Sequence, residues 1–159
     1  LSESVGVSGM VFALLIGASV FTYFLVLSRI PDAFTAYVLS FDLPPTLVVA
    51  LLLLAFVPLG MFLDGLSMML IAVPLAYPVV TELGFDGIWF GILVVKAVEI
   101  GLVTPPFGLN AFVVAGAVPK LKVETAFKGL LLFVPVDLFV IALLFAFPQI
   151  VLWLPSQMG

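Results

Sequence analysis

Residues 99–110, EIGLVTPPFGLN, set a carboxylate, a hydroxyl, a carboxamide, two glycines and two adjacent prolines into an apolar run from Ile88 to Val118. The prolines remove two backbone donors, and Pro105 pushes Thr104 away from helical φ/ψ, so the helix must break well inside the run. In hydrocarbon, backbone freed in this way is tolerated only where it is buried in protein or lines a polar cavity. The first half-helix ends in partial negative charge. Carbonyls around Leu102, Val103 and Thr104, with the Thr104 hydroxyl, therefore make a hard-oxygen site suited to Na⁺. The second half-helix starts near Gly108-Leu109-Asn110 and offers positive partial charge to an anion such as a carboxylate, with Asn110 adding a side-chain donor and acceptor. The bland counterpart is a proline kink absorbed by neighbouring helices. Two prolines flanked by two glycines and three polar side chains favour the site.

A second constellation is GMFLDG, residues 60–65. A carboxylate facing lipid at mid-membrane costs about 3 kcal/mol or more, so Asp64 must have another use. It either joins a cation site with the opposing break or caps the helix that begins at Gly65, and the two uses are compatible. Lys96 and Glu99 are spaced i,i+3, which puts them on one helix face as an ion pair. A role for Glu99 at the break is the less favoured alternative. Asp137 has no partner nearby in sequence and is expected to meet another helix.

These groups must be positioned by membrane-length elements. The 159 residues are 65% hydrophobic and 9% charged, with mean hydropathy +1.44, far outside the range of soluble domains. At about 20 residues per span there is room for five or six. Val5 to Ser28 reads as a full transmembrane helix ending at Arg29, and Pro31 to Phe41 as a short helix in the interface. Pro44-Pro45 restarts the chain. Two apolar arms, Thr46–Leu59 and Leu66–Val80, flank the GMFLDG tip. Arms of about 15 residues reach about 22 Å, short of a hydrocarbon core of about 30 Å, which suits a re-entrant hairpin. Two ordinary spans joined by a tight turn remain the alternative. Residues 81–87, TELGFDG, form an acidic loop. The broken helix follows as Ile88–Ile100 and Leu109–Val118, then a loop over Pro119–Lys128, a last span Leu130–Phe147 and an interfacial tail with Trp153. The organisation expected is residues 1–43 (transmembrane and interfacial helices), 44–82 (hairpin), 83–118 (discontinuous helix) and 119–159 (last span and tail). The class is an all-α membrane protein.

Lys120, Lys122 and Lys128 form the basic cluster, which places that loop in the cytoplasm and puts Arg29, residues 81–87 and the C-terminus outside. The absence of cysteine and histidine excludes disulfide staples, zinc sites built on those ligands and histidine proton relays. The net charge of −4 is scattered and gives no argument for nucleic acid. No targeting segment is recognisable, and the abrupt start near a hydrophobic span suggests a piece of a longer protein. No charge ring or filter motif favours a channel.

Residues 60–110 resemble the C-terminal half of the large permease subunit of tripartite ATP-independent periplasmic (TRAP) transporters. The resemblance is carried by Gly60, Asp64, Pro74, Pro78, Gly84, Asp86, Phe90-Gly91 and the run Glu99 to Asn110. The flanks GASVFTYFLVLSRIP (17–31) and WLP (153–155) fit as well. It implies an elevator-type permease of two inverted repeats, each with scaffold helices, a re-entrant hairpin and a discontinuous helix; this chain would be most of the second. It further implies sodium-driven import of carboxylated solutes across the bacterial inner membrane, with solute delivered by a periplasmic binding protein and a small four-helix membrane subunit completing the complex. By position, Gly60, Asp64, Gly101, Val103, Thr104 and Gly108 would frame a Na⁺ site, and Thr104, Pro105, Pro106 and Asn110 would face solute. One departure stands out: the family pattern has an apolar residue at position 96 and an Asn near 97, where this chain has Lys96 and Ala97.

Overall fold

The computed structural model describes residues 2–158, in which the elements are all helices joined by short turns: α1 (Ser2–Ser28), α2 (Ile30–Leu39), α3 (Pro45–Phe62), α4 (Gly65–Glu82), α5 (Gly87–Val103), α6 (Leu109–Ala117), α7 (Val123–Leu131), α8 (Val134–Ala146) and α9 (Pro148–Met158). Four stretches are long and apolar enough to cross a membrane: Ser4–Ser28, Pro45–Phe62, Gly65–Glu82 and Val123–Ala146. Large apolar side chains of α1 point outward, Phe12, Ile16 and Val20 each about two-thirds exposed at 65%, 66% and 67%. Such a surface is stable in lipid and not in water.

Local chemistry explains the boundaries. Arg29 takes the left-handed conformation, φ 54°, and turns α1 into α2, whose first turn carries Pro31. Asp64 and Asp86 cap α4 and α5, each accepting two backbone N–H groups of the first turn. Gly84, at φ 83°, turns the chain between them.

Three expectations need correcting. The hairpin arms are longer than Thr46–Leu59 and Leu66–Val80. At 18 residues each, α3 and α4 run about 27 Å. The Gly-Met-Phe of the expected tip stays helical because Gly60 is buried in a helix crossing and Phe62 packs on Phe107, 4.9 Å between ring centroids. Only Leu63 and Asp64 are left as the turn, so arm length does not separate a re-entrant hairpin from two spans. Secondly, the loop expected over 119–128 is helical from Val123, with Lys128 in the last turn of α7. Thirdly, the last span is not continuous from Leu130 to Phe147. It breaks at Leu132-Phe133, since Pro135 has no N–H for the Leu131 carbonyl. The tail folds as α9.

The core is organised around α5. Trp89, Phe90, Leu93, Val94, Ala97 and Val98 pack on Val49, Leu53 and Phe56 of α3 and on Met68, Ala76 and Val80 of α4. Partly buried Ile141, Leu144 and Phe145 of α8, with Val151 and Leu152 of α9, cover another side. The interrupted helix is thus the best-packed element in the molecule, and its broken end is held rather than dangling.

Candidate functional site

The break follows from arithmetic on the i→i−4 ladder. Pro105 has no N–H for the Gly101 carbonyl, and Pro106 has none for that of Leu102. Thr104, preceding a proline, is extended at φ −89°, ψ 131°, and its N–H turns back to Gly101 O at 3.1 Å. The Thr104 hydroxyl donates to Ile100 O at 2.5 Å, and the Thr104 carbonyl accepts the Gly108 N–H at 3.1 Å. That narrows the expected oxygen set. Among the described residues, the carbonyls of Leu102 and Val103 accept no hydrogen bond, while that of Thr104 is already engaged. The Thr104 hydroxyl keeps its lone pairs.

Across the break, α6 begins at Leu109 with Gly108 as a cap that offers no side chain, so the first N–H groups are open. A Cβ at Gly108 would sit 2.9 Å from Thr104 O and from Val103 C, which only glycine avoids. Thr104 and Pro105 are half-buried, and Pro106 and Asn110 are exposed.

The hairpin turn is brought to this break. Gly60 of α3 crosses Gly101 of α5 so closely that a Cβ on Gly101 would lie 2.6 Å from Val57 O and 2.8 Å from Gly60 Cα. A Cβ on Gly65 would touch Val98 and Leu102. Phe62 on Phe107 closes the contact from the loop side. Asp64 is exposed, and one of its oxygens, Oδ1, accepts from Leu66 N at 3.1 Å and Ser67 N at 3.0 Å. Its capping use is therefore observed, and Oδ2 is left over. Gly60, Asp64, Gly101, Val103, Thr104 and Gly108 lie in or beside one crossing of turn and break. Among the described residues no group of three or more His, Cys, Asp or Glu is poised for a metal. The donors on offer are carbonyls, one hydroxyl and one carboxylate oxygen, a set for hard cations.

Lys96 meets Glu99 at 2.6 Å, as the spacing implies. It also meets Asp137 of α8 at 2.8 Å, so the helix partner expected for Asp137 is Lys96. One contact escaped sequence reasoning: the buried Trp89 donates Nε1–H to the Leu144 carbonyl at 2.8 Å. A signal was present, since Leu144 is four residues before Pro148, which leaves its carbonyl without an intrahelical donor.

Comparison with known proteins identifies the family. A family model described as the tripartite ATP-independent periplasmic transporter, DctM component, matches residues 1–150. The sialic acid TRAP transporter large permease protein SiaM of Vibrio cholerae is 32% identical over 98% of this chain and 36% of its own length. The C4-dicarboxylate TRAP transporter large permease protein DctM of Pseudomonas aeruginosa is 30% identical over 100% of this chain and 37% of its own. The ectoine TRAP transporter large permease protein TeaC of Halomonas elongata is 32% identical over 97% of this chain and 36% of its own. The chain thus spans about a third of the length of these relatives. No solved structure matches it.

Proposed function

Because this chain belongs to the DctM-component family of tripartite ATP-independent periplasmic transporters, we propose that it supplies the ion-coupling segment of a permease importing carboxylated small solutes with Na⁺. It is part of a multi-pass transporter subunit of the inner membrane, and the relatives it resembles are permeases, not enzymes. The observation that carries the sodium reading is the pair of unpaired carbonyls, Leu102 and Val103, at the Gly60–Gly101 crossing. Na⁺ is cargo here. Bound between hairpin turn and helix break, by Gly60, Asp64, Gly101, Val103, Thr104 and Gly108, it draws the two interruptions together and favours the state that accepts an anion. The anion sits at the open N-terminus of α6, against Thr104, Pro105, Pro106 and Asn110. Such coupling is reciprocal: solute tightens sodium as much as sodium tightens solute.

The relatives named for sialic acid, C4-dicarboxylates and ectoine share this segment at nearly equal identity. That supports a coupling role for the segment and leaves cargo choice to the remainder of the permease. A periplasmic binding protein delivers the solute, a small four-helix subunit completes the complex, and the C-terminus faces the periplasm. The movement is of elevator type, with the hairpin re-entrant. The test is uptake by the complete transporter in proteoliposomes with its binding protein. Thr104→Val combined with Asp64→Ala abolishes sodium-dependent uptake while the complex still assembles. Uptake that keeps its sodium dependence in that double variant overturns the proposal.

A further inference from the structure

Helices α5 and α8 are joined by two polar ties in matching register. Trp89 Nε1 donates to Leu144 O at 2.8 Å, and Lys96 Nζ meets Asp137 Oδ1 at 2.8 Å. From Trp89 to Lys96 is seven residues along α5, and from Leu144 back to Asp137 is seven along α8. Seven residues are about two helical turns, so both ties leave one face of each helix, and the helices run antiparallel between them. A single tie would let the pair pivot. Two ties spaced about 10 Å apart fix both slide and rotation.

The second tie lies eight residues before Thr104, about 12 Å along the helix from the break. Its chemistry makes it stringent. Lys96 and Asp137 side chains are only 22% exposed, in a segment surrounded by apolar residues. A charge there is tolerable only when paired, so the ammonium does not wander from its carboxylates. Glu99, 54% exposed, accepts a second hydrogen bond from the ammonium at 2.6 Å and keeps Lys96 directed between the helices.

We propose that Lys96 is a positioning residue: with Asp137 it clamps α5 to α8 in one register and so sets where the free carbonyls of Leu102 and Val103 stand against the hairpin turn. The sodium part of this inference rests on the function proposed above, whereas the register part does not.

The experiment uses the complete transporter. Asp137→Asn leaves the Lys96–Glu99 pair intact but removes the charge across the helices. The exchange Lys96→Asp with Asp137→Lys restores that charge pair in reverse, with Glu99 untouched. Half-saturating sodium for uptake rises about tenfold in Asp137→Asn, the scale of one lost interhelical charge contact, and returns to within about threefold in the exchange. A purely structural role lowers protein yield and thermal stability without moving half-saturating sodium. Register is read separately by oxidising Ile92→Cys with Ile141→Cys, positions one turn inside the ties, in a chain that has no cysteine of its own. Disulfide yield is high in the parent, falls in Asp137→Asn and recovers in the exchange. A yield that does not fall, or falls without any change in half-saturating sodium, overturns the clamp. If Asp137→Asn does not fold, the exchange decides alone: parental sodium dependence and disulfide yield support the clamp, and their loss refutes it. Should uptake prove independent of sodium in the parent, the function proposed above fails, and the clamp stands or falls on the disulfide yields.

Discussion

Replacing Gly101 by alanine tests the crossing of hairpin and broken helix most directly. The added methyl would be placed 2.6 Å from Val57 O, 2.8 Å from Gly60 Cα and 2.9 Å from Gly60 C, all backbone atoms that no rotamer can move aside. Ordinary contact begins near 3.4 Å, so α3 and α5 must separate by about 0.8 Å at this point. Overpacking of this kind costs about 1–3 kcal/mol. The strain falls on the wall that fixes the Leu102 and Val103 carbonyls against the hairpin. If half to all of it appears as weakened ion binding, half-saturating sodium rises roughly two- to 140-fold, at about 1.4 kcal/mol per factor of ten. The measurement is sodium-dependent uptake in proteoliposomes, paired with thermal unfolding in detergent. Gly17→Ala on α1 is the control, because a Cβ there meets nothing within 4 Å. Gly101→Ala with parental unfolding temperature and parental sodium dependence would refute the close crossing, and the site built on it would go too.

Two further substitutions separate roles that one side chain or one contact combines. Asp64→Asn keeps a capping oxygen for Leu66 and Ser67 and leaves stability near that of the parent, whereas Asp64→Ala costs about 1 kcal/mol in unfolding free energy; both weaken sodium dependence if the carboxylate touches the ion, and only the alanine variant does so if capping is its whole function. Trp89→Phe retains the ring stack on Phe85 but removes the donor to Leu144 O, leaving a partly buried carbonyl unpaired at about 1 kcal/mol, so an unfolding midpoint equal to the parent's would show that the contact contributes nothing.

The position of the break was legible because proline acts locally. Pro105 and Pro106 forbid two hydrogen bonds whatever surrounds them, and the helix does end at Val103 and restart at Leu109. Capping was legible at Asp64, where it was one of two uses weighed, and it is observed there; at Asp86 the cap lay unread inside the acidic loop of residues 81–87. The extent of the hairpin arms was not legible. Gly60 reads as a turn residue in sequence, yet it continues α3 because its missing side chain serves a crossing with Gly101, forty-one positions away. The lysine-rich stretch was mistaken for a loop throughout, since Pro119 and the charges hid a helix starting at Val123. The charge cluster was half legible. Spacing within one helix gave Lys96–Glu99, but the partner of Asp137 depended on how α8 lies against α5.

The two interruptions and the clamp bear on one another through α5. This helix carries the crossing glycine, the unpaired carbonyls and both ties to α8, and its inner face is the centre of the core. A helix broken for ion binding loses ladder hydrogen bonds and leaves carbonyls exposed to the field of any nearby charge, so it needs rigid support elsewhere to keep those oxygens at coordination distance. Packing on Val49, Leu53 and Phe56 of α3 holds the first turns of α5, and nearest the carbonyls the contact with α3 is the Gly60–Gly101 crossing. The ties to α8 add a second, polar support to the same helix. On this argument the Lys96–Asp137 tie and the Gly60–Gly101 crossing support the same carbonyl end, and the loss of one makes that end depend more on the other. A double-mutant cycle of Gly101→Ala with Asp137→Asn then gives a combined effect on half-saturating sodium different from the product of the two, while strict multiplicativity would mean the supports act on independent features of the molecule.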